Sequence, residues 1–166
     1  MNQPYTIRDA NEKDLARIVE IYNSTIQSRM VTADTENVDV ESRLDWFLNH
    51  TSEKRPLWVM EDDGMIVGWL SFQDFYGRPA YQATAEISIY IDPTYRKKGI
   101  GAKFLDYAIK NAPTLGIHTL LGFIFAHNEP SIRLFKKFGF EQWAHFPGVA
   151  ELDGVKRDLL ILGRKI

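Results

Sequence analysis

No cysteine occurs anywhere in the 166 residues, which removes disulfides, thiolate metal sites and a cysteine nucleophile together. Excess charge is also missing. The formal net charge is -2 and the isoelectric point is near 6.1, so the basic surplus used in sequence-independent nucleic-acid binding is absent. No stretch is long and apolar enough to span a bilayer, and the opening "MNQPYTIRDANEKDL" holds no signal-peptide core. A cytoplasmic chain without nucleic-acid or membrane partners is expected. His50, His118, His127 and His145 stand without ligand spacing, so no metal is expected either. With no repeat, low-complexity tract or linker, and with 45% hydrophobic and 25% charged residues, the chain reads as one domain over 1–166.

Local patterns suggest the elements. "YTIRDA" reads as a strand, and Asn11 can cap a helix with Leu15, Ile18, Val19, Tyr22 and Ile26 on one face. "DVESRLDWFLNH" predicts a second helix, with Leu44, Phe47 and Leu48 as its apolar stripe. Asp63-Gly64 predicts a tight hairpin turn between two strands, because Gly accepts positive φ. In "ATAEISIYID" the alternation places Glu86, Ser88 and Tyr90 on one face and Ile87, Ile89 and Ile91 on the other. A helix over about 100–111 should bury Phe104, Leu105, Ala108 and Ile109, and Pro113 should stop it. "TLLGFIFA" reads as a strand covered on both faces. Pro130 suits a first helical turn and Gly139-Phe140 a helix stop. Two last strands, about 141–147 and 155–163, are expected to form a hairpin across "AELDG". This order predicts an α/β sheet with helices on both sides.

Between the fourth strand and its helix lies "YRKKGIGAKFL". Backbone amides at a helix N-terminus suit a phosphate, and Gly99 and Gly101 would let it approach. Arg96, Lys97 and Lys98 add positive charge. A dinucleotide fingerprint would want glycine where Phe104 stands, and a P-loop would want Gly-Lys-Ser/Thr, so both are disfavoured. A plain strand-to-helix turn with solvated cations is equally compatible with the glycines alone.

With its flanks, this stretch resembles the GNAT superfamily of acyl-CoA-dependent N-acyltransferases. "YRKKGIGAKFL" is similar to that family's Arg/Gln-x-x-Gly-x-Gly/Ala loop, and "NEPSIRLFKKFGF" to its second signature, Asn-x-x-Ser before a helix ending in Gly-Phe. Within the superfamily, "IYNSTI", "FYGRPAYQATAEISIYI" and "FPGVAELDGVKRDLLIL" resemble the phosphinothricin or methionine sulfoximine acetyltransferase branch. The resemblance implies a single-domain fold with a mixed, mostly antiparallel central sheet and helices on both faces, acetyl-CoA as co-substrate, and a homodimer. It implies that the pyrophosphate lies on the amides of Lys97, Lys98, Gly99, Ile100, Gly101 and Ala102, with Arg96 nearby. It also implies that the pantetheine arm pairs with the backbone of Ile89, Tyr90 and Ile91 and is hydrogen-bonded by Asn128, a residue equally placed to cap its helix.

The resemblance makes Glu86 the general base. A protonated amine cannot attack, and a partly buried carboxylate is a better proton acceptor. Many family members have a tyrosine acid where Phe135 stands here, so the departing thiolate lacks that donor. For the substrate, Arg78 among Phe75, Tyr76 and Tyr81 offers a guanidinium fork for a carboxylate or phosphinate, with rings around a short side chain. Arg29 and Thr32 are lower-ranked candidates. The expected activity is N-acetylation of a small amino-acid analogue such as phosphinothricin, methionine sulfoximine or methionine sulfone, for detoxification. Acetylation of a polyamine, an aminoglycoside or a protein N-terminus, and a CoA-binding sensor without turnover, remain alternatives.

Overall fold

The computed structural model describes residues 5–166. Seven strands form one sheet in the order β1-β2-β3-β4-β5-β7-β6. The strands are β1 (Tyr5–Asp9), β2 (Leu57–Asp62), β3 (Met65–Asp74), β4 (Thr84–Ile91), β5 (Thr119–Phe125), β6 (Glu141–Leu152) and β7 (Val155–Lys165). Every neighbouring pair is antiparallel except β4 and β5. The mixed, mostly antiparallel sheet expected from sequence is therefore present.

Helices cover both faces. On one side, α1 (Leu15–Ser24) and the single turn α2 (Leu44–Leu48) pack through Ile18, Ile21, Trp46 and Phe47 onto Val59, Ile66 and Trp69. On the other, α3 (Ile100–Asn111) and α4 (Glu129–Lys137) bury Phe104, Leu105, Ala108 and Phe135 with Phe72, Ile87 and Leu120. This is the larger core.

Turn chemistry explains the connections. Asp63 and Gly64 both take positive φ, 51° and 82°, as do Asp153 and Gly154, 53° and 78°, the combination that matches the right-handed twist of a two-residue hairpin. The last hairpin therefore closes on Asp153-Gly154, and its strands are longer than the expected 141–147 and 155–163. Pro147 is accommodated because the β6 register shifts between Phe146 and Ala150.

Two further expectations need correction. Helix α1 ends at Ser24, before Ile26, where the Thr25 hydroxyl donates to the Tyr22 carbonyl at 2.7 Å and draws the chain into turns. Ile26 is still buried. In α2 the predicted stripe holds only at Phe47, which packs on the core: Leu48 is 58% exposed and Leu44 is also exposed, while Trp46 points inward with its ring 5.4 Å from that of Trp69. A helix of one turn takes its orientation from the largest ring it can bury.

Candidate active site

The parallel pair β4 and β5 sets the site. Their ladder covers only Thr84 to Glu86 against Thr119 to Leu121, yet β4 continues to Ile91 and β5 to Phe125. Beyond Glu86 the two strands separate. Each still pairs outward, β4 with β3 and β5 with β7, so the backbone edges that face one another carry no ladder. A cavity of about 110 Å³ lies in the opening, lined by Ile89, Tyr90 and Ile91 on one wall, Gly122 and Phe123 on the other, and Asn128 at the end.

A second cavity, of about 200 Å³, opens on the opposite face, beside α1 and α2. Its floor is three cross-strand pairs, Trp69 with Tyr90, Ser71 with Ser88, and Gln73 with Glu86. The period-two pattern of β4 has the register expected. On β3, a bulge between Met60-Glu61 and their partners leaves Val67 as the extra residue, which turns Trp69, Ser71 and Gln73 to this face. Ser88 and Tyr90 line both cavities. They form the junction.

Burial raises the Glu86 carboxyl above the ordinary carboxylate range, because the charged form loses hydration and, among the described residues, no cation bonds it. The Tyr90 phenol is raised by burial and then by the neighbouring Tyr22, so it stays protonated and can donate. Tyr22 is raised by burial and by its hydrogen bond to the Asp34 carboxylate. The wall is aromatic: Trp69 stacks on Tyr90 with centroids 4.5 Å apart, and Tyr22 lies 5.1 Å from Tyr90. Trp69 is fixed from behind by its Nε1–H, which donates to the Ile18 carbonyl at 3.0 Å.

At the glycine turn, Gly99 is the N-cap of α3 with φ 79°, preceded by Lys97 at φ 63°. Arg96, Lys97 and Lys98 are exposed, and the Lys98 ammonium lies 5.2 Å from the centre of the Tyr95 ring. The Ile100 side chain belongs to the core, 1% exposed, and Ala102, also in the first turn of α3, is half-buried. Gly101 has a reason beyond ligand approach: a Cβ there would sit 2.9 Å from Leu134 of α4. A side chain there would have to push the Leu134 methyl aside.

Asn128 is buried and caps α4, its Oδ1 accepting from the Ser131 amide at 3.3 Å. Its Nδ2 donates to the Met30 carbonyl at 3.1 Å, and His127 Nε2 contacts the Arg29 carbonyl at 2.8 Å. Together they tie the segment after α1 to the mouth of the β4/β5 opening. The Arg29 guanidinium itself pairs with Asp153 at 2.9 Å, whereas Thr32 is buried against the Tyr22 hydroxyl at 2.5 Å. Phe135 packs its ring over Gly122, where a Cβ would approach it to 2.6 Å. No hydroxyl is present at that position.

The predicted substrate residues are not brought to Glu86. Tyr76 is 77% exposed, and its ring packs with those of Phe75 and Tyr81 on the surface. Arg78 and Tyr81 line a separate concavity of about 530 Å³ with Arg55 and His118. The loop is held there by Arg55, which bonds Asp74 at 2.7 Å and the Gln82 carbonyl at 2.7 Å. The cation that shares the Glu86 cavity is Arg43, on the turn leading into α2. Sequence reading missed Arg43, although Arg43 and Trp46, three apart, fall on one helical face.

A family profile described as "Acetyltransferase (GNAT) family" matches residues 16–140. A Bacillus subtilis protein named a candidate phosphinothricin acetyltransferase, YwnH, is 57% identical over 162 residues, covering 97% of this chain and 99% of that protein. The L-methionine sulfoximine/L-methionine sulfone acetyltransferase of Salmonella typhimurium is 33% identical over 157 residues, covering 95% and 92%. The crystal structure of a GNAT superfamily phosphinothricin acetyltransferase from Sinorhizobium meliloti in complex with acetyl-CoA matches with a TM-score of 0.92 at 27% identity, covering 99% of this chain and 89% of that one.

Proposed function

The chain belongs to the GNAT acetyltransferase family, and from that premise we propose that it acetylates the α-amino group of a small amino-acid analogue, phosphinothricin, methionine sulfoximine or methionine sulfone, detoxifying it with Glu86 as general base. One observation carries this reading. The desolvated carboxylate of Glu86 lies in a cavity that meets the β4/β5 opening at Ser88 and Tyr90, so an amine on one face of the sheet can reach a group delivered between the strands.

The residues present fit acetyl-CoA. The unladdered edge of Ile89, Tyr90 and Ile91 offers backbone donors and acceptors to a polar, strand-like arm, and the turn from Arg96 to Ala102 offers amides at the start of α3. Acetyl-CoA supplies the acetyl group as an activated thioester. Glu86 takes the proton of the substrate ammonium, directly or through water, and its raised pKa improves it as an acceptor near neutral pH. Tyr90, protonated throughout this range, offers a hydroxyl at the junction. Phe135 offers no proton, and a thiolate whose conjugate acid has a pKa of about 8.5 can take one from water.

Thiol release from acetyl-CoA tests the proposal. Turnover is expected with methionine sulfoximine and phosphinothricin and not with spermidine or a short peptide. Retained acetyl-CoA binding with all four amines inert would favour a sensor instead. A homodimer belongs to the same reading, supported by the exposed Trp143, Phe146, Val149 and Val155 along the β6–β7 hairpin. Sedimentation equilibrium should give twice the 19.2 kDa chain mass; a single chain mass would refute it.

A further inference from the structure

The geometry points to Arg43 as the residue that recognises the substrate's carboxylate, an assignment that rests on the amino-acid reading above. Among the described residues lining the cavity, Arg43 is the one cation and Glu86 the one carboxylate. A zwitterion is the small molecule that answers both, its ammonium toward Glu86 and its carboxylate toward Arg43. A polyamine would answer only one.

Arg43 is also prepared for this role. Its Nη2 donates to Asp34 at 3.1 Å, and its guanidinium carbon lies 5.1 Å from the centre of the Tyr22 ring. Asp34 in turn accepts from the Tyr22 hydroxyl, so a ring and a carboxylate fix the guanidinium plane. Guanidinium has five N–H donors, and among the described residues Asp34 is the one hydrogen-bond partner of this one. The rest form a fork of the geometry a carboxylate fills. Arg17 and Arg55, by contrast, are spent: Arg17 bonds the Ile66 carbonyl and Asp92, and Arg55 bonds Asp74 and the Gln82 carbonyl. Asp34 acts here as a positioning residue.

Binding tests this without turnover. Trp46 and Trp69 lie in the cavity wall, so tryptophan fluorescence can follow titration of the protein with methionine sulfone and with its carboxamide. Wild type is expected to prefer the acid by about 30-fold, the scale of a bidentate charged hydrogen bond. In Arg43→Met the preference should fall to about threefold or less, with carboxamide affinity unchanged. If that variant does not fold, Arg43→Lys is read instead. Its point charge should keep only part of the preference, again without change for the carboxamide. Equal affinities in wild type, a preference surviving in Arg43→Met, or parallel loss of both ligands overturns the assignment. Thiol release in the same samples reads the enzymatic proposal separately. Turnover without acid preference removes the role of Arg43 alone; acid preference without turnover supports that role and removes this amine as a substrate.

Discussion

Glu86→Gln is expected to lower kcat by about 10²–10⁴-fold while leaving acetyl-CoA affinity within about twofold, because the amide keeps the shape of the side chain but cannot accept a proton. The elements proposed to hold acetyl-CoA, the β4 edge beyond residue 86 and the Arg96 to Ala102 turn, are not altered by the change. The pH profile gives a second reading. General-base action needs ionised Glu86, so wild-type kcat/KM should fall as pH drops through a pKa above the ordinary carboxylate range. In the variant that limb should vanish, leaving the ionisation of the amine itself. Stability should move the other way. The native carboxyl holds its proton to a higher pH than the unfolded one, whose pKa is about 4.3. Its favourable contribution is complete below that value and is lost as pH rises through the native pKa. At neutral pH a buried, unpaired charge remains, and Gln removes it. Glu86→Gln should therefore melt at or above the wild-type temperature at pH 7.5, with the gap closing toward pH 4. A variant that keeps kcat within threefold would show that the base lies elsewhere.

Trp69→Ala is expected to cost about 3–5 kcal/mol, the range for deleting a buried large aromatic side chain. Trp69 is 3% exposed, stacks on Tyr90, meets Trp46 edge-on and bonds the Ile18 carbonyl. It thus joins α1, α2 and the sheet in the smaller of the two cores, where few other groups can collapse into the space. Against a typical domain stability of about 5–15 kcal/mol, this is a large fraction. The urea midpoint should fall with the m-value unchanged. Trp69→Phe retains a ring against Tyr90 and loses the indole N–H, and its added loss from that bond should be about 1 kcal/mol. A Trp69→Ala midpoint within error of wild type would mean that the aromatic wall contributes nothing to the fold.

How far the sequence could be read differs from element to element. The facing of Glu86, Ser88 and Tyr90 follows from a period of two that any strand imposes, and the register found on β4 is the one the alternation requires. Asp63-Gly64 is likewise local, since two adjacent positive φ values are a property of those residues. The paired loop and Asn-x-x-Ser signatures carried the family, because backbone amides and a helix cap are chemistry encoded within a few residues. Other features depend on distant partners. The facing of α2 is legible only at Phe47, because a helix of one turn has too little period of its own, and Trp69, 23 positions after Trp46 in the chain, decides which side turns in.

By itself, then, the sequence determined the family, the order of strands and helices, the face carrying Glu86 and the glycine turn ahead of α3, all set by neighbours along the chain. Tertiary structure alone decided that β4 and β5 part after Glu86, that Asn128 reaches back to Met30, and that Arg43 rather than Arg78 shares the cavity with the carboxylate. Each joins segments far apart in sequence, and packing, hydrogen bonding and the end of a ladder fix such a juxtaposition only once the whole sheet is assembled.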